Sequence, residues 1–509
     1  MLLNEVLAAQ QIGFPILSAL VGVPLLGLLL LGVAPARSVR SLALATAAAE
    51  LVLTLLMLAA FRTGSADLQF VERWGGFFTL GVDGLSALFL PLTAVLTLLA
   101  VLSSEAAVKV GVRGYLMALL GFQATVMGVL VAADVLLFWL FLTLEIVPSW
   151  MLIARHGTGN ERRHAALHYA VVMAVSAVLL GAGIALLVTA SGGSDLKTVL
   201  ATRVPDAAQG TIFLLLLVGL GIKAPLFPLH AWLPRVLDQG PVVGAGVFLV
   251  GVKLGTYGLL RLVIPVLPEA AAEYYWLVAL LAGLGIVYGA LIALVQQNLR
   301  RLLAYASLSH MGVVLLGLFS LNSYGLQGGL LQMLCLGMAV AGLFFIAGFL
   351  YERVGPPELP VLGGLRQRMP LLSTAFLVIA LGAVGMPGTS GFNGEHLVLI
   401  GAYKVHWAMA LFVGAGTVLG AAYFLLFYQR AFLGQEPADS TAALPDLNLR
   451  EKTVCAVMAA LVLGVGLYTS PFVAVTQSSV KAVAEHVQTR IQTQRVGAAL
   501  AVPQTPRQP

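Results

Sequence analysis

Five titratable side chains lie inside stretches of sequence that are otherwise apolar. Glu145 lies in WLFLTLEIVPSWML, Lys223 follows TIFLLLLVGLGI, Lys253 lies in VFLVGVKLGTYGLLR, His310 lies in LLAYASLSHMGVVLLG, and Glu395 lies in GFNGEHLVLIGAY. An isolated buried carboxylate costs several kcal/mol unless it is protonated or paired, so Glu145 predicts a partner, and Lys223 is the first candidate. Such a series of groups that bind and release protons is typical of a proton relay.

Lysine suits a relay because its protonation state follows its surroundings. An apolar site favours the neutral amine, and a nearby carboxylate restores the ammonium. If Glu145 approaches Lys223, the lysine holds its proton; if the pair separates, the lysine can pass the proton on through water. A simpler role is open for His310 and for His230, because a histidine inside a span is often a hydrogen-bonded core imidazole. A purely structural role does not suit Lys253, because a lysine at the centre of a span cannot easily extend to water.

Prolines and glycines interrupt two of these apolar stretches next to the charged residues. GIKAPLFPLHAWLP contains Pro225 and Pro228 beside Lys223, and GAVGMPGTSGFNGE contains Pro387 before Glu395. Proline removes a backbone donor and clashes with the preceding turn, so both helices should be discontinuous at these points. The backbone groups that a break leaves free can hold water inside the membrane, which predicts a hydrated pocket around Lys223.

The composition indicates where these elements must lie. Of the 509 residues, 60% are hydrophobic and 10% are charged, against about 25% charged in soluble proteins, and the mean hydropathy is +0.97. The chain is therefore expected to be an integral membrane protein in contact with the lipid bilayer. Its net charge of +6 does not indicate nucleic-acid binding, because the Lys and Arg residues are scattered over short loops. Cys335 and Cys455 stand alone, which excludes a cysteine-ligated iron–sulfur cluster or zinc site, and we expect no metal site.

Windows of about 20 apolar residues predict an all-α polytopic fold with about fourteen transmembrane helices. Their centres lie at Val23, Leu51, Val95, Ala124, Leu142, Ala177, Gly219, Val252, Gly285, Val314, Met338, Leu381, Val418 and Leu463. The discontinuous helices are the seventh and the twelfth, and such a pair in matching positions is typical of inverted-repeat transporters. Two unrelated proline kinks are the alternative.

The spacing of the two breaks predicts how the chain is divided. Three helices in residues 1–113 precede a first five-helix repeat, residues 114–263 (helices 4–8), and an inverted second one, residues 274–432 (helices 9–13). Residues 452–509 hold the last span, a surface helix in SSVKAVAEHVQTRIQTQRVG and a disordered tail, AVPQTPRQP. Lys and Arg residues are more frequent in loops after odd-numbered spans, which should face the cytoplasm, so both termini should face the other side.

Several strings resemble the antiporter-like membrane subunits of complex I, the proton-pumping NAD(P)H:quinone oxidoreductase. They are GIKAPLFPLHAWLPRVLDQGPVVGAGVFLVGVKLGTYGLLR, NLRRLLAYASLSHMG, LYERVG and GMPGTSGFNGE, and the similarity runs from about Trp74 to Tyr428. Within this family they are most similar to the branch called subunit M in bacteria and chain 4 in plastids and mitochondria. By this resemblance, Glu145 and Lys223 match the family's coupled pair, Lys253 and His310 its central relay, and Glu395 its terminal acid. The supporting positions are His230, Pro225, Pro228 and Pro387.

The resemblance also implies how the chain works with others. It would move protons in a translocase whose electrons pass through a separate peripheral arm, so NAD(P)H, flavin, iron–sulfur clusters and quinone would bind other subunits and this chain would hold no cofactor. Its partners would be other membrane subunits, including homologous antiporter-like ones. The membrane would be a bacterial inner (plasma) membrane or a thylakoid membrane.

Three positions depart from the family pattern. Leu336 stands where histidine is frequent, after Gln332 and Met333, so one relay site is missing or replaced by water. Asn298 stands where an acid is frequent, which removes a charge partner for Arg300. GFNGEHLVL is an unusual form of the twelfth-span motif.

Other functions are open at this point. A subunit of an Mrp-type cation/proton antiporter, of a membrane-bound hydrogenase or of a CO2-hydrating photosynthetic complex would share the fold and the motifs. A separate transporter for a small solute would need a second polar cluster, which is not evident, and a purely structural subunit would not need two lysines inside the membrane.

Overall fold

The computed structural model describes residues 4–241, 244–435 and 444–501. Its N-terminal part combines long helices with a small sheet. In chain order the elements are β1 (Glu5–Leu7), α1 (Ala8–Gln11), α2 (Ile16–Val33), α3 (Val39–Ala60), β2 (Leu68–Arg73), β3 (Thr79–Val82) and α4 (Phe89–Ala107).

The sheet corrects the all-α prediction. β1 pairs with β2 in parallel, and β2 pairs with β3 in antiparallel fashion, with Glu72 opposite Leu80. Gly75 and Gly76 lie between β2 and β3 with φ of 88° and 57°, a conformation that favours glycine. The strands have three, six and four residues, which is too short for a clear alternating pattern, so hydropathy alone indicates only a polar connection here.

The middle of the chain folds into helices of very different lengths, from 3 residues in α13 to 30 in α8. They are α5 (Val112–Val131), α6 (Val135–Leu144), α7 (Ile146–His156), α8 (Arg162–Ser191), α9 (Leu196–Ala201), α10 (Asp206–Lys223), α11 (Trp232–Gln239), α12 (Ala245–Gly258) and α13 (Ile264–Val266). A π-helical turn, Leu259–Val263, joins α12 to α13.

The last part of the chain repeats this character. Its helices are α14 (Pro268–Val295), α15 (Leu299–Leu318), α16 (Ser323–Val354), α17 (Leu365–Arg368), α18 (Pro370–Val384), α19 (Ser390–Val405), α20 (Trp407–Phe432), α21 (Leu449–Leu467) and α22 (Ser470–Ala501). α22 includes the predicted surface helix but begins earlier and is 32 residues long. Apart from Ala501, the predicted tail lies outside the described residues.

Within the described residues, ten helices are long and apolar enough to cross a membrane, and one bent pair raises the number to eleven. The bent pair is α21 with Ser470–Gln494 of α22, at an angle of 68°. Two more apolar helices are shorter, Phe89–Glu105 and Pro370–Val384. The chain is thus a mainly helical integral membrane protein. Each of the fourteen predicted centres lies in a helix, whereas fourteen spans and the repeats stay predictions.

Both predicted helix breaks are present. α10 ends at Lys223 and α11 begins at Trp232, while α18 ends at Val384 and α19 begins at Ser390. At the second break Gly385 and Gly388 have φ of 77° and 88°, which ends the helix without a steric penalty because glycine has no Cβ.

Side chains bind carbonyl groups at the end of α10. Ser176 Oγ on α8 donates to Gly219 O in the last turn at 2.6 Å, and Trp232 Nε1 donates to Ile222 O, which the break frees, at 2.9 Å. The break is therefore a defined structure whose helix end is satisfied by neighbours.

α16 lies at the centre of the second half. The whole of its apolar window is buried, and it packs against α12, α15, α18, α19 and α21. In α3, α8 and α20 only 33% of the corresponding window is buried, so these helices present apolar surface to lipid or to other membrane proteins.

Candidate functional site

Glu145 lies at a junction between two helices, because α6 ends at Leu144 and α7 begins at Ile146. Pro148 explains the junction: it has no backbone N–H, and its ring displaces the carbonyl of Leu144, four residues before it. The carboxylate at this junction is 1% exposed.

The predicted pairing of Glu145 with Lys223 is confirmed. Lys223 is the last residue of α10, is 4% exposed, and donates from Nζ to Glu145 Oε2 in a buried ion pair. Removing either partner would leave an uncompensated charge in an apolar interior, which costs roughly 3–5 kcal/mol in soluble proteins.

Two hydroxyl groups complete the surroundings of the Glu145 carboxylate. Ser149, one turn along α7, donates from Oγ to Glu145 Oε1 at 2.5 Å. Tyr169 of α8 donates from its hydroxyl at 3.3 Å to Oε1 and 3.4 Å to Oε2. Hydrogen bonds to an ionised acceptor are stronger than neutral ones, so these contacts hold the carboxylate in place beside Lys223.

Glycines bring α12 close to this pair. A Cβ at Gly251 would lie 3.3 Å from Glu145 Oε1, and a Cβ at Gly255 would lie 2.7 Å from Leu220 O in the last turn of α10. Lys253 lies between these two glycines, so the close approach places the second buried lysine on the helix that lines the first site. A cavity of about 10 Å³ beside Lys223, lined also by Thr143 and Ser176, is about large enough for one water.

Lys253 of α12 is 4% exposed, and the next predicted site residue along the chain is His310 of α15. The ring is 7% exposed, and its Nε2 lies 3.2 Å from the Tyr423 hydroxyl of α20. Its Nδ1 is buried without a hydrogen-bond partner among the described residues. The imidazole therefore has one connected nitrogen and one nitrogen that can still bind a proton or a water.

The helix that carries Tyr423 also contacts Glu395. Thr417, on the same helix as Tyr423, donates to Glu395 Oε1. Glu395 belongs to α19, just after the second break, and is partly buried. At that break an added Cβ on Gly385 would clash with Glu395 Oε2, so the glycine after α18 makes room for the carboxylate.

The supporting positions lie at the edges of this arrangement. Pro225 and Pro228 are in the segment between α10 and α11, and Pro387 is in the second break. The His230 ring packs against Phe227 at 5.5 Å and Tyr288 at 5.3 Å between ring centroids, and its Nδ1 has no hydrogen-bond partner among the described residues. Its described contacts are thus with aromatic side chains rather than with the other predicted site residues.

Four hydroxyl residues of the site, Ser149, Tyr169, Thr417 and Tyr423, were not indicated by the sequence. Hydroxyl residues are frequent in membrane helices and bond to their own backbone, as Thr125 and Ser307 do here. Only the helix packing distinguishes the ones that contact a buried charge.

The structure accounts for one departure from the family pattern. Asn298 caps α15, and Arg300 donates instead to neutral acceptors, Thr158 Oγ1 at 2.8 Å and Gly240 O at 2.7 Å. The arginine thereby joins the second half of the chain to the first.

Across the described parts of the chain, no group of three or more His, Cys, Asp and Glu side chains is placed to hold a metal ion. The chemistry that the arrangement can support is proton binding and transfer. A carboxylate, two amines, an imidazole, a phenol and a second carboxylate are the groups available for it.

The comparison with known proteins covers most of the chain. The family described as NADH:quinone oxidoreductase/Mrp antiporter, TM matches residues 132–420. NADH-quinone oxidoreductase subunit M of Rhodobacter capsulatus is 35% identical over 457 residues, which is 86% of this chain and 89% of that protein. NADH-ubiquinone oxidoreductase chain 4 of Marchantia polymorpha is 32% identical over 92% of this chain and 97% of that protein.

Solved structures agree with this. A chain of respiratory complex I from Thermus thermophilus superposes with a TM-score of 0.85 and 31% identity, over 93% of this chain and 99% of that one. A chain of the Mrp complex from Dietzia sp. has the same fold, with a TM-score of 0.82 and 22% identity over 94% and 100% of the two chains. The chain therefore belongs to the NADH:quinone oxidoreductase/Mrp antiporter family of antiporter-like membrane subunits, and within it is similar to subunit M and chain 4 of complex I.

Proposed function

We propose that the chain is a proton-translocating membrane subunit of a complex I-type NAD(P)H:quinone oxidoreductase. The observation that carries this proposal is the buried Glu145–Lys223 ion pair at two helix ends. A static pair of this kind contributes little net stability compared with apolar residues, because both charges lose their hydration. In a pair that opens and closes, the lysine can hold a proton and then release it.

The proposed route runs from the ion pair into the second half. When Glu145 separates from Lys223, the Nζ–H bond of Lys223 breaks and the proton passes through water to Lys253. From Lys253 it moves to the His310 ring, whose unpartnered Nδ1 is free to bind it. The Tyr423 hydroxyl then links His310 to Glu395, which releases the proton. The Glu145–Lys223 ion pair and the hydrogen bond between Tyr423 and His310 support the two ends of this order.

The wider architecture follows from the same proposal. Fourteen spans would include inverted repeats in residues 114–263 and 274–432, with three helices before them. Both termini would face away from the cytoplasm, in a bacterial inner (plasma) membrane or a thylakoid membrane. The two interrupted helices, α10 with α11 and α18 with α19, support the repeats because they fall at matching positions.

Electron transfer would occur in other chains of the complex. The relatives named NADH-quinone oxidoreductase subunit M and NADH-ubiquinone oxidoreductase chain 4 support membership of such an assembly. NAD(P)H, flavin, iron–sulfur clusters and quinone would bind partner subunits, and this chain would supply the proton path, next to homologous antiporter-like subunits.

A subunit of an Mrp-type cation/proton antiporter is the second candidate. The fold match to a chain of the Mrp complex favours it as far as architecture goes. The sequence identities of 35% and 31% to chains of NADH-quinone oxidoreductases exceed the 22% to that chain, which supports the first candidate. A membrane-bound hydrogenase and a CO2-hydrating photosynthetic complex are related assemblies with the same requirement for a proton path.

The experiment is to purify the native complex through a tag on this chain, identify its partner chains and reconstitute it in proteoliposomes. The proposal predicts proton movement across the membrane when NADH reduces quinone, and collapse of the gradient with a protonophore. A complex without chains for NADH oxidation, which instead exchanges sodium for protons without a redox reaction, would establish the antiporter function.

A further inference from the structure

A buried carboxyl group of α3 lies outside the proposed route. Glu50 is 0% exposed, and neither carboxyl oxygen has a hydrogen-bond partner among the described residues. α3 packs against α2, α4 and α5. The other charged residues of these four helices lie near helix ends; they are Arg40, Glu105 and Arg113. A carboxylate at Glu50 would therefore face no cation.

Gln123 of α5 is a second buried polar group without a partner. It is 0% exposed, and neither its amide nitrogen nor its amide oxygen has a hydrogen-bond partner among the described residues. Buried amides are normally hydrogen-bonded, since an unpaired one costs roughly 1–3 kcal/mol in proteins. Two such exceptions on neighbouring helices point to a shared polar site rather than to two independent defects.

Contacts around Gly27 of α2 place the two residues on one interface. A Cβ at Gly27 would lie 2.8 Å from Thr46 Oγ1 of α3 and 3.1 Å from Leu120 Cδ1 of α5. Glu50 lies one turn after Thr46 and Gln123 one turn after Leu120, so each continues the same helix face.

The two residues also lie at the same depth. Gly121 of α5 is adjacent to Leu28 of α2, and Gly32 of α2 is adjacent to Met117 of α5, so α2 and α5 run antiparallel. α3 follows α2 through a short turn and packs against it in the opposite direction, which makes α3 and α5 parallel. Glu50 lies four residues beyond Thr46 on α3, and Gln123 lies three residues beyond Leu120 on α5. Their heights along the helix axes therefore differ by only about 1.5 Å.

α5 connects this interface to the Glu145 site. A Cβ at Gly121 would lie 3.6 Å from Pro148 Cβ of α7, and Phe122 lies 2.9 Å from the Cβ position of Gly251, which itself borders Glu145. Gln123 follows Phe122, so along the α5 axis it lies within one residue's rise of the contact with Gly251. α5 therefore stands between the Glu50 carboxyl group and the Glu145 carboxyl group.

We propose that Glu50 and Gln123 form a further proton-binding site, which exchanges its proton in step with the Glu145–Lys223 pair. Glu50 holds the proton as a neutral carboxylic acid, and one water can bridge its O–H and C=O to the Gln123 amide, with which it makes no direct hydrogen bond in the structure. The step that releases the proton breaks the Glu50 O–H bond and transfers the proton to water.

Electrostatics across α5 gives the coupling its direction. When Lys223 has lost its proton, Glu145 is an uncompensated negative charge and favours the neutral form of Glu50. When Lys223 is protonated again, that negative charge is balanced and Glu50 can release its proton. This exchange rests on the proposed function, whereas the neutral acid in the resting state does not.

Infrared difference spectroscopy of the native complex in proteoliposomes tests the proposal, with NADH and quinone driving turnover. We expect a carbonyl band of a protonated carboxyl group that changes during turnover and shifts in D2O. Glu50→Gln, which keeps the shape and neutrality of the protonated acid, should remove the band. Gln123→Leu should shift its frequency, and Glu273→Gln, at an exposed glutamate, should leave it unchanged.

Two results would overturn the inference while leaving the proposed function intact, given that the wild-type complex pumps protons. The first is that the Glu50→Gln variant shows the same turnover-dependent band as the wild type. The second is a Glu50 band that is present at rest and unchanged by turnover. A complex that oxidises NADH without moving any proton would instead contradict the proposed function. In that case the resting band alone decides whether the Glu50 site binds a proton.

Discussion

At the scale of single residues, the account depends on hydroxyl groups that connect ionisable side chains. Tyr423 is the sharpest case, since its oxygen lies 3.2 Å from His310 Nε2, and we propose that it passes the proton on to Glu395. A phenol can donate and accept a hydrogen bond at once, so it can link two proton-binding groups without carrying a charge itself.

Replacement of this hydroxyl gives the first prediction. Tyr423→Phe keeps the aromatic ring and its packing against Phe424 but removes the link between His310 and Glu395. We expect assembly to be normal and the rate of proton translocation to fall at least about a hundredfold, the lower end of the range for loss of one proton-transfer group. Proton uptake by proteoliposomes measures this.

The matched control is Tyr428→Phe in the same helix. Tyr428 stacks on Phe432 with 4.9 Å between ring centroids and takes no part in the proposed route. Its loss should leave proton uptake at the wild-type rate. Equal proton uptake in the two variants would remove Tyr423 from the route.

Residue chemistry could be predicted from the sequence only in part. Glu145, Lys223 and Lys253 stand out because a charge is costly in an apolar helix, and the pairing of the first two follows from that cost. Tyr169 and Tyr423 could not be predicted, because a tyrosine in a span is not anomalous until its neighbours are known.

At the scale of helices and strands, the breaks next to Lys223 and Glu395 determine where the charges lie. The second break depends on Gly385, which has φ of 77° and whose Cα faces the Glu395 carboxylate. A side chain at this point would meet both a strained backbone and the carboxylate.

Gly385→Ala tests the importance of the break. The left-handed conformation costs an alanine roughly 1–2 kcal/mol, and its Cβ would displace Glu395 Oε2. We expect a lower midpoint of thermal unfolding for the purified complex and reduced proton uptake. Gly414→Ala in α20 is the control, because its Cβ would have no neighbour within 4 Å. If Gly385→Ala unfolded at the wild-type temperature, the break would not need the glycine.

Helices and helix breaks that depend on neighbouring residues in the sequence could be predicted from it. Prolines and glycines identify the breaks after α10 and α18, and long apolar runs identify the helices. The strands β1 to β3 could not be predicted, because their pairing joins Glu5 to Leu68 across three helices, which no local pattern reports. The 68° bend between α21 and α22 likewise depends on packing.

At the scale of the whole molecule, buried or partly buried ionic contacts join parts that are distant in sequence. Arg261, in the π-helical turn after α12, forms an ion pair with Asp83, just before α4. Arg353 at the end of α16 binds Glu451 of α21 at 2.6 Å. These contacts hold the N-terminal helices, the middle of the chain and the last helices together. The Glu145–Lys223 pair can then open and close while these helices stay in place.

A mainly helical membrane fold, although not its small sheet, could be predicted from composition, and the family from the strings around Lys223 and His310. The number of spans could not be settled in the same way. Helices such as α18 are short because they end at a break, so length alone does not decide whether a helix and its continuation form one span.

The most direct test of the central claim is proton uptake by the reconstituted complex with Lys223 changed to methionine and, separately, to arginine. Methionine keeps the bulk of the stem but cannot bind a proton, and arginine stays charged and cannot release one. Lys197→Met, at an exposed lysine, is the control. The account predicts that both Lys223 variants assemble and lose most proton uptake, while the control keeps it. Wild-type proton uptake in the arginine variant, together with failed assembly of the methionine variant, would contradict the account and identify the pair as purely structural.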